Sequence, residues 1–344
     1  MSAYNPRIDF FRIQLVHKSD EFKTFKDFII EVLNKSKVHS DTQLLQFLTD
    51  NMISLLQSDM AVDDHIKKQV RWINKKANLY KDFKPNADIS NFIIHGVLSG
   101  GRYGRNGIIT DRDITEEESS ASSLNPDKAI HKYSYFMLYT PFDHNEGVLM
   151  VHSNSRDESI TDIMKTFFTK FFKRGDYKKP VLMRFCPLYL QNQFTQRSFL
   201  KQINLKTSYV EDSINKIGIQ NGITNYNIQI LITPRQGEDH HHFSIDDAKE
   251  LMTKFALHHN LKGQQLFSKF GTRQVTMEDE HSKHVQTFEM DKDDVDLCPV
   301  IDVRNVLPDD SDYQRDGTPR FDRLHNVLLN VLHEEIIPEL RRGL

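Results

Sequence analysis

Three consecutive histidines are the residues whose types and spacing most resemble a metal site. His240, His241 and His242 follow Glu238 and Asp239 in a polar stretch. Imidazole nitrogens and carboxylate oxygens are ligands of divalent transition metals. Three adjacent imidazoles cannot all face one ion, so the pattern predicts a site made by Asp239, His240 and His242. The alternative is a polar surface loop that binds no metal.

A glycine- and arginine-rich stretch, residues 100–107 (GGRYGRNG), is a second candidate for chemistry. Its glycines allow backbone amides to come close to an anion, and Arg102 and Arg105 add guanidinium groups on either side of Tyr103. No Lys-Ser or Lys-Thr pair follows the glycines, so the stretch is not a Walker phosphate loop. We expect it to contact phosphate or nucleic acid, and the alternative is a mobile hairpin tip.

Two further stretches, residues 67–76 and 165–179, are rich in lysine and arginine. Basic patches of this kind bind the phosphate backbone of nucleic acids without reading the base sequence. With the glycine-rich stretch they predict one continuous nucleic-acid-binding groove, whereas each run taken alone also fits a solvated face. The predicted contacts are Lys67, Lys68, Arg71, Lys75, Lys76, Arg102, Tyr103, Arg105, Lys165, Lys170, Lys173, Arg174, Lys178 and Lys179.

Catalytic motifs are missing from the sequence. It contains no G-x-S-x-G serine motif, no H-E-x-x-H zinc motif and no cysteine pair at zinc spacing. The sequence therefore leaves open whether the chain is an enzyme. With a divalent metal at Asp239, His240 and His242 it would be a nuclease, and no other cofactor is predicted.

A third interpretation is a protein-interaction subunit. The run 165–184 is basic, whereas the run 278–296 is acidic. Opposite charges in separate parts of one chain favour docking onto another copy or onto a partner subunit. The partner expected first is therefore nucleic acid, and otherwise a homo-oligomer or a partner protein.

The elements that must position these residues predict an α+β fold. Residues 133–140 and 148–152 form a predicted hairpin, and a helix follows from Ser159. Its apolar residues recur at helical spacing, namely Ile160, Ile163, Met164, Phe167, Phe168, Phe171 and Phe172. Four phenylalanines in one stripe must be covered by a sheet. We predict mixed or antiparallel sheets covered by amphipathic helices, with an N-terminal helical segment that includes a basic helix over 61–80.

The predicted domain division has three consecutive segments. Residues 1–90 hold an N-terminal strand plus the helical segment, and residues 91–220 hold a strand-hairpin-helix α/β domain with a basic helix. Residues 221–344 form a C-terminal α+β domain that ends in a long helix. The boundary over 218–225 is rich in glycine and asparagine, as domain linkers often are.

The composition is ordinary for a globular protein. The 344 residues are 38% hydrophobic and 27% charged, with a net charge of −3 and two cysteines. We expect Cys186 and Cys298 to be reduced thiols. The first residues lack an apolar signal core, and no apolar run approaches ~18 residues. We therefore predict a cytoplasmic protein without a membrane partner.

The order of elements also resembles a group of proteins. YFMLYTP, a loop, VLMVHSN, an amphipathic helix and VLMRFCPLYL are followed by NIQILITP, a capped helix and a polar hairpin with FEMD. Over residues 91–305 this succession resembles uncharacterised bacterial proteins encoded among phage-defence genes. The resemblance implies an intracellular antiviral role in bacteria and carries over no catalytic residue.

Overall fold

The computed structural model describes most of the chain as two compact units. The described residues are 6–33, 40–58, 61–72, 84–109, 122–126, 128–155, 159–210, 225–233, 272–279, 285–289 and 301–342. Unit 1 comprises Met1–Phe185 and Ile301–Leu344, and unit 2 comprises Cys186–Val300. This grouping differs from the three consecutive segments predicted, because strands from the beginning, middle and end of the chain pair in one sheet.

The described residues form fifteen strands, numbered here in chain order. They are β1 (Arg7–Gln14), β2 (Val62–Asp63), β3 (Lys68–Trp72), β4 (Asn86–Asp88), β5 (Ile93–Arg102), β6 (Gly107–Ile109), β7 (Ser122–Leu124), β8 (Ile130–Tyr139), β9 (Glu146–Ser153), β10 (Val181–Phe185), β11 (Ser198–Val210), β12 (Asn225–Ile232), β13 (Thr272–Asp279), β14 (Val285–Glu289) and β15 (Ile301–Asp302).

Among the described residues the helices are fewer than the strands. They are α1 (Phe25–Phe28), which continues as a π-helical turn over Ile29–Leu33, α2 (Asp41–Leu56), α3 (Thr161–Phe172), α4 (Leu188–Arg197), α5 (Phe321–Val331), which continues as a π-helical turn over Leu332–Ile336, and α6 (Ile337–Arg342). The second π-helical turn precedes Pro338, which has no N–H to donate to the carbonyl of the preceding turn.

Unit 1 is built on a nine-stranded sheet with the main order β10-β1-β9-β8-β5-β3-β2. In addition, β15 pairs with β1 and β4 pairs with β5, while β6 and β7 form a separate hairpin. Each strand pairing among the described residues is antiparallel. The α+β fold predicted from the sequence is confirmed.

One face of this sheet carries the main apolar core. Phe167, Phe168, Phe171 and Phe172 of α3 are fully buried there, together with residues of α1, α2, β1, β8 and β9. The rings of Phe28 and Phe172 lie 5.3 Å apart. Burying each phenylalanine contributes about 1.5–3 kcal/mol. The predicted stripe therefore holds α3 against the sheet.

The opposite face of the sheet is covered by α5. Along β8 the side chains alternate, so that Phe136 and Leu138 join the main core. The Tyr135 ring points to the other side, where it lies 6.1 Å from the ring of Phe321. Both faces of β8 are thus buried, which explains its nearly continuous apolar sequence.

Buried hydrogen bonds fix the start of α3 to the sheet. The Thr161 hydroxyl donates to Oδ2 of buried Asp9 at 2.7 Å, and Arg184 donates to Oδ1 of Asp9 at 3.0 Å. The Ser159 hydroxyl accepts from the backbone N–H of Thr161 at 3.1 Å. The position of this helix terminus therefore depends on specific polar contacts as well as on apolar packing.

The predicted basic helix over 61–80 is wrong in its described part. Asp63 Oδ1 accepts from the backbone N–H groups of His65 and Ile66, which forms a turn, and Lys67 adopts a left-handed φ of 55°. β3 then begins and pairs with β5. The apolar residues that fit a helical period also fit a strand, because buried Val70 alternates with less buried neighbours.

Unit 2 contains a four-stranded sheet in the order β12-β11-β13-β14 together with α4. The rings of Phe194 on α4 and Phe288 on β14 lie 5.5 Å apart, so the helix packs on this sheet. Among the helices described in either unit, none combines the length and the apolar composition needed to span a membrane.

Candidate functional site

A cleft in unit 1 brings several of the predicted residues together. We call it the basic cleft, because its lining includes the four cationic side chains Lys68, Arg102, Arg105 and Lys132. Its volume is about 210 Å³. Strand β5 contributes Gly100 and Gly101, the start of α3 contributes Ser159 and Ile160, and β7 contributes Leu124.

Strand register explains why these cations meet. Lys68 on β3 is opposite Arg102 on β5, and Gly100 on β5 is opposite Lys132 on β8. Residues directly opposite each other share a face of the sheet, and positions two apart along a strand share it too. Lys68, Arg102 and Lys132 therefore project from the same face although they are up to 64 residues apart in the sequence.

Gly100 allows α3 to approach this face closely. A Cβ atom at position 100 would lie 2.5 Å from Cγ2 of Ile160 and 3.2 Å from the carbonyl oxygen of Gln69. Any side chain there would push the start of α3 away. The glycine thus serves packing, in addition to the anion contact that the sequence predicts for its stretch.

Lys68 forms one side of the basic cleft and is largely committed to protein contacts. The residue is 8% exposed, and Nζ donates to the carbonyl oxygen of Ser159 at 2.7 Å. The Asp162 carboxylate lies 3.5 Å from the same Nζ and partly offsets its charge. Arg102 and Arg105, by contrast, are exposed. They are the groups best placed to meet an incoming anion.

Lys67 and Tyr103 are adjacent to each other beside the arginines. The backbone N–H of Tyr103 donates to the carbonyl oxygen of Lys67 at 3.0 Å, and Nζ of Lys67 lies 5.6 Å from the centre of the Tyr103 ring. The Tyr103 hydroxyl donates to Asp64 at 2.6 Å. Burial and this hydrogen bond raise the pKa of Tyr103 to about 12. Lys67 and Asp64 therefore hold the Tyr103 ring in place.

Arg71 holds the end of a helix. Its guanidinium donates to the carbonyl oxygens of Ser58 at 2.8 Å and Leu56 at 3.3 Å, where α2 ends with carbonyl groups that have no partner within the helix. Lys75 and Lys76 lie outside the described residues, so their predicted contacts stay predictions.

The remaining predicted cations lie along α3 and beyond its end. Lys165 contacts the Phe11 ring at 5.1 Å, and Lys170, Lys173 and Lys179 are exposed. Because α3 has 12 residues, its last turn is about 18 Å from the basic cleft. Two of the three basic stretches therefore meet at one site, and the third lies mostly at the far end of the helix.

Two of the cations beyond the end of α3, Arg174 and Lys178, have protein partners. Arg174 donates to Oδ1 of Asn51 at 2.6 Å, and burial lowers the pKa of Arg174. Nζ of Lys178 lies 2.7 Å from Oδ1 of Asp20. These two side chains are already occupied by neighbouring groups of the protein.

Lys132 is a cleft residue that sequence reasoning missed. Strand β8 contains one lysine and no arginine, and the sequence neighbours of Lys132 give no sign of an anion site. The only available signal was the alternation of β8, which puts Lys132 on the same side as Phe136. Its proximity to Arg102 follows from the pairing of β5 with β8, which the sequence does not specify.

The predicted metal residues Asp239, His240 and His242 lie outside the described part of the chain. Within the described ranges, no group of three or more histidine, cysteine, aspartate or glutamate side chains is arranged to hold a metal ion. In the acidic run 278–296, Glu278 forms an ion pair with Lys201, and most of the other residues are not described. The nuclease and docking hypotheses stay predictions.

A second polar cluster lies between the sheet and α5. The Tyr135 hydroxyl is 2.7 Å from Nδ1 of His325, and the rings of His325 and His95 are 4.3 Å apart. Burial, with His325 nearby, lowers the pKa of His95 to about 4, and burial lowers that of fully buried His152 to about 3. Nε2 of His152 has no hydrogen-bond partner among the described residues. His95 and His152 are therefore neutral at pH 7.

No protein-family model, curated protein sequence or solved structure matches the chain.

Proposed function

We propose that the basic cleft binds the phosphate backbone of nucleic acid. The observation that carries this proposal is the meeting of Arg102, Arg105 and Lys132 with Lys68 around one cavity in a chain whose net charge is −3. Guanidinium groups donate paired hydrogen bonds that match phosphate oxygens, and these charge-assisted bonds are strong.

Recognition at this site reads phosphate rather than base sequence. The cationic groups line a cavity floored by the backbone of β5, and contacts to phosphate fix position without specifying a base. If roughly three phosphates are neutralised on a single strand, the slope of log affinity against log salt is about −2. Affinity then falls about 15-fold between ~50 and ~200 mM salt.

The test is fluorescence anisotropy with a labelled single-stranded oligonucleotide at both salt concentrations. The double variant Arg102→Ala/Arg105→Ala removes two charge-assisted contacts, and we expect affinity to fall about 100-fold. The matched control, Lys170→Ala/Lys173→Ala, removes the same charge from the exposed far end of α3 and is expected to change affinity less than about 3-fold.

Two results contradict the proposal. If the wild-type protein shows no binding at the lower salt concentration, the cleft is not a nucleic-acid site. If both double variants lose affinity equally, binding reflects general surface charge rather than the basic cleft.

The resemblance to proteins encoded among phage-defence genes supports an antiviral setting for this binding. We infer that the chain acts as a nucleic-acid-binding component of a bacterial defence system. Plaque counts on bacteria that express the wild-type protein or Arg102→Ala/Arg105→Ala test this role. Equal protection by both proteins would show that defence does not depend on the basic cleft.

A further inference from the structure

We propose that the basic cleft selects a phosphomonoester, such as the terminal phosphate of a nucleic-acid strand, over an internal phosphodiester. This inference rests on the proposed function, because it concerns the same cleft. It narrows the ligand from any stretch of backbone to a strand end or a free nucleotide.

The size of the cleft limits what it can enclose. Pockets that bury drug-sized ligands usually measure about 300–1,000 Å³. The basic cleft measures about 210 Å³, which suits a phosphate group with part of its sugar rather than several nucleotides.

The walls of the cleft favour a chain end. Ile160, at the start of α3, packs closely over Gly100 and closes one side. Lys68 reaches from β3 to the carbonyl oxygen of Ser159 and closes a second side. Leu124 of the separate β6–β7 hairpin lines the cleft as well. An internal phosphodiester needs room for the strand on both sides of the phosphate, whereas a terminal phosphate needs it on one side.

The charge of the lining also favours a monoester. A phosphomonoester carries about −1.5 to −2 charges at pH 7 and presents three strong acceptor oxygens, more than a diester offers. Arg102 ends β5, Arg105 lies in the segment just after it and Lys132 comes from β8, and all three line one small volume. Several donors around one point complement a compact dianion, whereas a strand of diesters is complemented by cations spaced along a track.

The surroundings do not extend the cationic lining along the nearby helix. The first turn of α3 presents the exposed carboxylate of Asp162 next to the cleft. The exposed Lys170 and Lys173 lie roughly 14 and 18 Å further along the helix axis than Thr161. Within the described residues of α3, no exposed cation lies next to the cleft to meet a continuing phosphate backbone.

The experiment compares one oligonucleotide sequence with a 5′-phosphate, a 3′-phosphate or hydroxyl groups at both ends, using anisotropy at pH 7.5. Thymidine monophosphate serves as a competitor. We expect a phosphorylated end to bind about tenfold more tightly than the hydroxyl form. The variant Lys132→Met, which keeps the aliphatic part of the side chain, is expected to reduce this ratio to about threefold. The control Lys170→Met is expected to leave it unchanged.

The outcomes separate this inference from the proposed function. Equal affinity for all three oligonucleotides overturns the inference and leaves phosphate-backbone binding intact. Absence of binding to any of them, and to the monophosphate, overturns both. If thymidine monophosphate competes at concentrations similar to those of the phosphorylated oligonucleotide, the result supports monoester selection. It also identifies a free nucleotide as the ligand. Much weaker competition, with the phosphorylated end still preferred, identifies the strand end.

Discussion

The two ends of α3 differ in what their positive charges contact. At the start of the helix, cations from β3, β5 and β8 surround one cavity. Beyond the far end, Arg174 and Lys178 are engaged by Asn51 and Asp20, and Lys170 is exposed to solvent. The far end belongs to a sequence stretch rich in lysine and arginine, whereas the cations at the start come from separate stretches of the chain.

The difference shows that local charge density does not locate an anion site. What distinguishes the cleft is convergence of side chains from strands that are distant in sequence, together with a space next to them. Arg174 and Lys178 contribute little to binding, because a ligand must first displace Asn51 and Asp20. Three substitutions test this comparison.

The largest effect on stability is expected from Gly100→Ala, next to the start of α3. The added methyl group meets Ile160 and the Gln69 carbonyl, and overpacking against a branched side chain and backbone costs about 3 kcal/mol of the free energy of unfolding. Urea unfolding followed by circular dichroism measures it. Gly107→Ala is the control and is expected to be neutral, because no described atom lies within 4 Å of the position its methyl group would take. An unchanged Gly100→Ala protein would show that α3 does not depend on this close approach.

Acid is expected to lower the free energy of unfolding without changing the lysine and arginine charges at either end of α3. The folded protein holds the pKa of His152 at about 3, below the ordinary value of 6.5, so the unfolded chain takes up the proton first. The contribution of this histidine to stability is complete above pH 6.5 and declines as the pH falls toward 3. At pH ~5 the loss is about 2 kcal/mol.

Urea unfolding of the wild type and of His152→Leu at pH ~7.5 and pH ~5 checks this prediction. The difference in free energy of unfolding between the two proteins should change by about 2 kcal/mol between pH ~7.5 and pH ~5. His65→Leu, which replaces an exposed histidine, should keep the wild-type pH dependence. A pH dependence that His152→Leu leaves unaltered would assign the acid sensitivity to other groups.

The smallest effect is expected from Asp20→Asn beyond the far end of α3. The substitution weakens the contact with Lys178, and both side chains are solvent-exposed, so the unfolding midpoint should not change measurably. Oligonucleotide affinity should also stay the same, because Lys178 is remote from the basic cleft. A clear increase in oligonucleotide affinity would contradict this difference between the two ends of α3, since it would show that Lys178, once released from Asp20, binds the ligand.

The sequence was sufficient to predict elements whose pattern is local. The apolar stripe of α3 fits only a helix over its length. The stretch after Ala61 was ambiguous, because Ile66 and Val70 satisfy helical spacing and Val70 also satisfies strand alternation. Pairing with β5, a non-local contact, decides between the two.

The candidate site was predictable only in part for the same reason. Arg102 and Arg105 are recognisable beside glycines, since that combination suits anions wherever it occurs. Lys132 enters the site through strand register, and Lys68 loses much of its exposure through the position of α3. Neither fact is encoded in the neighbouring residues, so a sequence pattern cannot reveal them.

The pairing of β1 with β15 has a consequence for synthesis of the chain. The ribosome releases β1 early, whereas Ile301 of β15 and the helix α5 that covers one sheet face follow only after all of unit 2. At roughly 5–20 residues per second, translating unit 2 takes on the order of 10 s. During that interval the apolar sheet face that α5 covers in the folded protein has no helix to cover it.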